Sequence, residues 1–147
     1  MQVIPSDPSV AVVSGDFGKF DPQTLFGYLT SPELLAAWWP ETAETDLRIG
    51  GKYALEWPGM GWKLSGTYTS IVPGRHLGFT WNWSHEPDKR ERQVDIFLQA
   101  VNDGTRMAIY HGQFGEDDLE SADRQGIIEG WIHFGMKLAG LKAGPDT

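Results

Sequence analysis

Residues 118–142 read DLESADRQGIIEGWIHFGMKLAGLK, and this stretch decides the fold predicted for the chain. Its large apolar residues recur at steps of three and four, the period of an α-helix with one apolar stripe. Acidic residues over 116–120 suit the positive end of a helix dipole, and Lys137 and Lys142 suit the negative end. Gly144-Pro145 then stops the run, so we predict one long C-terminal helix. The stripe consists of Ile127, Trp131, Phe134, Leu138 and Leu141.

The first forty residues predict one strand and two short helices. Val10–Val13 are β-branched or small, which indicates a strand that reaches about Gly15. Asp21-Pro22 has the N-cap and first-turn residues of a helix start. Ser31-Pro32 repeats this pattern, and we predict a second helix from Glu33 to Trp38.

From Thr45 onward, apolar and polar residues alternate with the period of β-strands. The alternating runs are separated by short turns, which favours an antiparallel meander of five or six strands. The predicted order is β-α-α-β(5–6)-α, an α+β fold in which the C-terminal helix lies on one sheet. The turns are Gly50-Gly51, Pro58–Gly61, Pro73-Gly74, residues 85–89 and Asn102–Gly104.

The residue totals limit the class of protein. The chain has 147 residues, of which 40% are hydrophobic and 22% are charged, so we predict a single domain over residues 1–147 with its core at about 10–142. A formal charge of −8 argues against nucleic acid and anionic membrane as partners. With no cysteine and no histidine pair at metal-ligand spacing, neither a metal nor another cofactor is expected. The sequence has no evident signal peptide or membrane-spanning run, so we expect a cytoplasmic protein.

The sheet surface facing the helix is predicted to be wide and aromatic. If each strand turns its more apolar side inward, Trp62, Leu64, Val94 and Leu98 join that surface. One helix stripe cannot easily cover it, so the aromatic residues either fill the core or border a ligand-sized cavity. Both outcomes stay open, and so does the place of Trp38 and Trp39, at the mouth of a cavity or in the core. The candidate ligand-binding residues are Trp38, Trp39, Tyr53, Leu55, Trp57, Phe79, Trp81, Trp83, Ile96, Met107, Ile109, His111, Trp131 and Phe134.

Several short motifs, taken in order, resemble the activator of heat-shock chaperone ATPase homologue family of the START-like (SRPBCC) superfamily. The resemblance covers roughly residues 10–142. It implies a helix-grip fold, in which an antiparallel sheet wraps around the C-terminal helix and encloses a hydrophobic pocket. These are motifs of the fold and carry no catalytic residues. They are Trp38-Trp39-Pro40, Asp46–Gly51, Gly66–Trp81, Gly104–Met107, His111–Phe114 and Gly130-Trp131.

Superfamily members include lipid and hormone carriers, antibiotic-sequestering proteins and aromatic-polyketide cyclases. The resemblance therefore implies an apolar ligand without choosing it. The principal hypothesis is non-enzymatic binding of a small hydrophobic or aromatic molecule between the sheet and the helix.

Two alternatives remain. One is an enzyme of cyclase or hydrolase type that uses His111, with or without Tyr53, as acid or base. His111 can instead be structural, donating a hydrogen bond to a carbonyl or a tyrosine. The chain has no G-x-S-x-G nucleophile elbow, and we assign no catalytic residue. The other alternative is a protein-interaction module, either co-chaperone-like or one subunit of a homodimer.

Overall fold

A computed structural model describes residues 1–141, which form eight strands, three α-helices and one 3-10 turn. The strands are β1 (Gln2–Val3), β2 (Val10–Gly18), β3 (Thr42–Thr45), β4 (Lys52–Trp57), β5 (Trp62–Val72), β6 (His76–Trp83), β7 (Arg92–Val101) and β8 (Gly104–Gly112). The helices are α1 (Pro22–Thr30), α2 (Pro32–Leu35) and α3 (Asp118–Ala139), and the 3-10 turn covers Pro58–Met60.

The strands form one antiparallel sheet in the order β1-β2-β8-β7-β6-β5-β4-β3. The meander from β3 to β8 pairs each strand with the next one along the chain, and β2 closes the sheet by pairing with β8. The strands wrap around α3, which packs mainly against β2. This arrangement confirms the predicted α+β helix-grip fold.

The predicted C-terminal helix is present, but it is shorter than the sequence indicated. Asp117 caps its start by accepting a hydrogen bond from the Glu120 N–H at 2.8 Å. Its last turn closes at Gly140, whose N–H donates to the carbonyls of Met136 and Lys137. The helix therefore ends at Ala139, before Leu141. The predicted stop at Gly144-Pro145 and the terminal Lys142 lie outside the described residues.

The buried side of α3 is rotated from the predicted stripe. Ile128, Trp131, Gly135 and Leu138 are buried, whereas Ile127 and Phe134 are only partly buried. The chain packs against this side so closely that a Cβ on Gly135 would lie 2.4 Å from the Met1 side chain. The buried face of α3 is therefore determined by its packing against β2 and the N-terminus. The sequence pattern could not identify this face, because large apolar residues occur on both sides of Trp131.

The N-terminal elements follow the prediction with different ends. α1 begins as expected, with the Asp21 carboxylate accepting from the Thr24 N–H at 2.8 Å. α2 is a single turn and does not reach Trp38, because the N–H groups of residues 37 and 38 bond three residues back in tight turns. β2 continues to Gly18 since it pairs with β8 as far as Gly104. The edge strands β1 and β3 were not predicted.

A buried arginine joins the sheet to α3. The Arg92 side chain on β7 is 4% exposed and bonds Glu120 at 2.6 Å and Asp123 at 2.8 Å, both in the first turns of the helix. The guanidinium also lies 4.2 Å from the centre of the Phe114 ring. Lys89 reaches Asp123 at 3.1 Å from the loop before β7. A buried charge is tolerated only when it is paired in this way, so these ion pairs fix the start of α3 on the sheet.

A second link lies in the middle of α3. The indole N–H of Trp131 donates to His111 Nδ1 at 3.0 Å, and His111 is completely buried on β8. Burial, followed by the charge of Arg92, lowers the pKa of His111 to about 3, so the ring is neutral near pH 7. The structural alternative had His111 donating to a carbonyl or a tyrosine, whereas its Nδ1 accepts a hydrogen bond from Trp131. Its Nε2–H has no hydrogen-bond partner among the described residues.

We predict that Glu120→Gln lowers the free energy of unfolding at neutral pH and makes that free energy less sensitive to a fall in pH. The hydrogen bond from Arg92, then that from the Gly115 N–H, lowers the pKa of Glu120 from 4.5 to about 2. A depressed pKa in the folded state stabilises the fold above pH 4.5, and that contribution is lost as the pH falls toward 2. The variant should lose about 1.5–3 kcal/mol at pH 7, the range for a hydrogen bond to a charged group.

The measurement is urea unfolding between neutral pH and the acid limit of the folded state. Asp118→Asn is the matched control, because Asp118 is an exposed carboxylate in the same helical turn. It should stay close to wild type. A Glu120→Gln variant whose stability still falls with acid as steeply as the wild type would contradict the assignment.

We also predict that Trp131→Ala costs about 3–5 kcal/mol, the range for truncating a large buried aromatic residue. Trp131 is 5% exposed and also satisfies the buried His111 nitrogen. Trp62, which is 39% exposed, supplies the comparison, and Trp62→Ala should cost much less. Equal free energies of unfolding for the two variants would show that the helix contact is unimportant.

Candidate ligand-binding cavity

A cavity of about 340 Å³ lies between α3 and the part of the sheet formed by β4, β5 and β6. Its wall is almost entirely apolar, and six tryptophans contribute to it. The lining residues are Trp39, Trp57, Met60, Trp62, Trp81, Trp83, His85, Asp123, Gly126, Ile127, Gly130, Trp131 and Phe134.

Strand periodicity brings four of these tryptophans together. Trp81 and Trp83 lie two residues apart on β6 and therefore share one face of the sheet. Trp57 and Trp62 are directly paired across β4 and β5. Trp83 lies opposite Leu64 on β5, which brings the two pairs side by side. Met60, in the short Pro58–Met60 turn that joins these two strands, also lines the cavity.

Trp39 lies at the centre of the aromatic wall. Its ring stacks on Trp81 with 5.8 Å between centroids and contacts Trp131 at 5.1 Å. Its carbonyl accepts a hydrogen bond from the indole N–H of Trp57 at 3.1 Å. Because Trp39 belongs to the segment after α2, this segment closes the cavity against both the sheet and α3.

Two glycines make room on the helix side. Gly126 and Gly130 are one turn apart on α3 and both face the cavity. Apart from the adjoining residues and the neighbouring helix backbone, no atom lies within 4 Å of the position that a Cβ would take at either residue. Glycine inside a helix costs about 1 kcal/mol relative to alanine. The two glycines therefore lower the stability of the helix locally, and a larger side chain at either position would enter the cavity.

The polar groups of the wall lie near its edge. His85 is exposed and its ring stacks on Trp62 with 5.5 Å between centroids. Asp123 borders the cavity, but both of its oxygens already bond Arg92 and Lys89. The carboxylate is therefore neutralised by its neighbours, and the interior offers a ligand mainly aromatic surface.

The structure brings together only part of the candidate set. The residues on the cavity wall are Trp39, Trp57, Trp81, Trp83, Trp131 and Phe134. A separate and much narrower crevice is bordered by Tyr53, Leu55 and Phe79. Trp38 is 2% exposed, and its indole N–H donates to the Tyr28 carbonyl at 2.9 Å. It also borders a shallow depression on the protein surface beside Phe134.

The remaining candidates lie in the packed core and away from the cavity. Ile96, Met107, Ile109 and His111 are all at most 2% exposed. The reason is that α1 packs against β7 and β8, while Trp131 of α3 covers His111. Strand alternation correctly turned these residues inward, but it could not show which part of the sheet α1 covers.

The proposed acid–base pair does not face the cavity either. The Tyr53 hydroxyl donates to the Thr80 carbonyl at 2.6 Å, and burial raises the pKa of Tyr53 well above its ordinary value. His111 is occupied by Trp131 and separated from the cavity by the rings of Trp81 and Trp131. Neither group is placed to exchange a proton with a ligand in the cavity.

The lining residues absent from the candidate set are Met60, Trp62, His85, Asp123, Gly126, Ile127 and Gly130. Some of them carried a usable signal. Trp62 belonged to the predicted inward face, and Gly126 and Gly130 have helical spacing beside Ile127. His85 and Asp123 come from a loop and from the polar side of α3, so their positions depend on how these elements pack together.

Residues 1–141 contain no group of three histidine, cysteine or carboxylate side chains arranged to hold a metal ion. In the same residues, no helix is long and apolar enough to cross a membrane.

Solved structures share this fold. A protein from Mesorhizobium loti superposes with a TM-score of 0.77 at 22% identity, over 88% of this chain and 93% of that chain. CalU16 from Micromonospora echinospora gives a TM-score of 0.67 at 19% identity, over 95% and 83% of the two chains. DynU16, a protein in the dynemicin biosynthetic locus, gives 0.75 at 19% identity, over 92% of this chain and 46% of that chain. At these identities the likeness shows the fold alone.

None of the curated proteins matches the chain. A family model described as Activator of Hsp90 ATPase homolog 1-like protein matches residues 19–142. This match covers most of the chain, including the aromatic segment after α2, the meander and α3. The protein therefore belongs to the Activator of Hsp90 ATPase homolog 1-like family.

Proposed function

We propose that this protein binds a small hydrophobic, aromatic molecule in the cavity between α3 and strands β4 to β6, without catalysing a reaction there. The observation that carries the proposal is a 340 Å³ space with six tryptophans in its wall. Ligand pockets of about this size, largely apolar with a few polar groups, are typical of small-molecule sites. The family fold commonly binds hydrophobic ligands, which supports the same function.

The helix glycines support a binding role over simple core packing. Gly126 is exposed and Gly130 is half-buried, and alanine or a larger residue at either position would strengthen the helix, since glycine weakens it. Here neither residue has a neighbour within contact distance of a Cβ. A ligand in this space would also contact Trp81 and Trp131, which line the same cavity.

The lining also favours a ligand that is flat and carries little charge. Aromatic faces bind planar rings by offset stacking or edge contacts. The one carboxylate on the wall, Asp123, is already paired with two cations. His85, at the open edge, is the side chain best placed to bond a polar substituent of the ligand. We therefore propose a planar aromatic molecule with one polar end directed toward His85.

Tryptophan fluorescence tests the binding function directly. A ligand among the wall tryptophans should change the intensity or wavelength of their emission in a saturable way. The titration compares flavonoids and planar polyketides with fatty acids of similar size, and thermal unfolding is measured on the same samples. We expect the planar compounds to shift both signals. Flat emission and unchanged melting across the whole panel would contradict the proposal and favour the interaction-module alternative.

A cavity-filling variant separates ligand binding from folding. Gly130→Leu places an isobutyl group in the cavity and should weaken binding of a planar ligand at least tenfold. The same change should leave the free energy of unfolding unchanged or raise it by roughly 0.5–1 kcal/mol, because leucine favours a helix more than glycine does. Binding is measured by the fluorescence titration and stability by urea unfolding.

Ala122→Leu is the matched control, since it adds a similar group to an exposed position of the same helix. It should retain wild-type affinity. A Gly130→Leu protein that binds as tightly as the wild type would place the ligand elsewhere.

A further inference from the structure

The outer face of the sheet carries a hydrogen-bonded serine, histidine and aspartate that the ligand cavity does not use. Ser70 Oγ lies 3.0 Å from His76 Nδ1, and His76 Nε2 lies 2.8 Å from Asp95 Oδ1. The three residues come from β5, β6 and β7, and the strand register sets them side by side: Ser70 pairs with Gly78, and Gly78 pairs with Asp95.

A β-bulge is what places Ser70 on this face. The β5–β6 register shifts between Tyr68 and Ser70, which adds one residue to β5. Tyr68 and Ile71 are both directed inward, opposite Phe79 and Leu77, and Ser70 is turned outward between them. Regular alternation would have placed Ser70 on the inner face with Tyr68, away from His76. Bulges commonly re-aim a side chain next to active sites.

The hydrogen bonds assign the roles of the two ring nitrogens. A carboxylate only accepts hydrogen bonds, so His76 Nε2 carries the proton that bonds Asp95. In the neutral ring Nδ1 then has a free lone pair, and it accepts the proton of the Ser70 hydroxyl. This is the order of roles in a serine–histidine–aspartate triad, with the two ring nitrogens exchanged relative to the common arrangement.

The surroundings hold these groups in place and keep them accessible. The His76 ring stacks on Phe97 with 4.3 Å between centroids and 9° between planes. A Cβ on Gly78 would lie 2.8 Å from Asp95 Oδ1 and 3.2 Å from the Ser70 Cβ, so glycine leaves room for the cluster. The His76 and Asp95 side chains are 24% and 32% exposed, which leaves them open to a small molecule.

An apolar groove adjoins the cluster. Its wall is formed by Asp95, Phe97, Ala108 and Tyr110, so the aspartate belongs to both. Phe97 and Tyr110 are each 43% exposed and meet edge to face with 5.7 Å between ring centroids. The groove therefore borders the cluster on the Asp95 side, where it offers apolar surface to the acyl or leaving group of an ester.

We propose that Ser70, His76 and Asp95 form a second, esterase-like site on the outer face, which takes small activated carboxylic esters. Ser70 Oγ bonds the ester carbonyl carbon while its proton passes to His76 Nδ1. The bond from that carbon to the leaving oxygen breaks, and the proton on Nδ1 goes to the leaving alcohol or phenol. Water then attacks the acyl-serine, giving its proton through His76 to Ser70 and releasing the carboxylic acid. Asp95 is a positioning residue that keeps the proton on Nε2.

The experiment uses the full chain and p-nitrophenyl acetate. Release of p-nitrophenolate gives the acylation rate, and peptide mass mapping locates the acetyl group. We expect acetylation of Ser70, its loss in Ser70→Ala, and a rate at least about 100-fold lower in His76→Gln, the usual minimum for removing a general base. Ser65→Ala, on the same strand and outside the hydrogen-bonded cluster, should react as the wild type does.

Asp95→Asn tests the positioning role. An amide can donate to Nε2 and so favours the other tautomer, in which Nδ1 carries the proton and no longer accepts from Ser70. The acylation rate should fall while the ester concentration that gives half the maximal rate stays the same. Circular dichroism and thermal unfolding establish that each variant is folded. A folded wild type that releases p-nitrophenolate no faster than folded Ser70→Ala would overturn the proposal.

Discussion

Arg92 brings a buried positive charge from β7 to the first turns of α3, where Glu120 and Asp123 bond it. Removing either carboxylate would leave part of that charge without a partner inside the protein, which is a large cost. The helix start is therefore fixed at one place on the sheet. Because Trp131 bonds His111 further along, α3 is fixed at two points, and the cavity lies along the helix between them.

The cavity depends on a balance between large and small residues. Tryptophans from the sheet and from the segment after α2 support one another, with Trp39 in contact with Trp81 and Trp131. The helix offers Gly126 and Gly130 to this aromatic wall, where larger side chains would pack more tightly. A shared fold does not fix the chemistry of a site, which depends on side chains such as these. On the outer face of the sheet, a β-bulge in β5 places Ser70 beside His76, and the rest of the β5–β6 pairing is regular.

Much of the architecture was predictable because it depends on local periodicity. The Asp21 cap, the meander and α3 all follow from residues close in sequence. The site was predicted less completely. Alternation identified Trp81 and Trp83 correctly as inward residues. It also made Ile109 and His111 candidate ligand-binding residues, although α1 and α3 bury them. The bulge at Ser70 was also beyond reach, since a register shift depends on the partner strand.

The amino-acid sequence by itself determined the fold class, the order of the elements and the aromatic character of the inner face. These properties arise from short-range patterns, namely the periods of helix and strand and the chemistry of caps and turns. The tertiary structure decided where the inner face is covered and where it stays open. It also decided which side of α3 is buried and which polar groups meet across strands. Such choices depend on contacts between residues far apart in the chain, as between Arg92 and Glu120 or Ser70 and Asp95, and no local pattern specifies them.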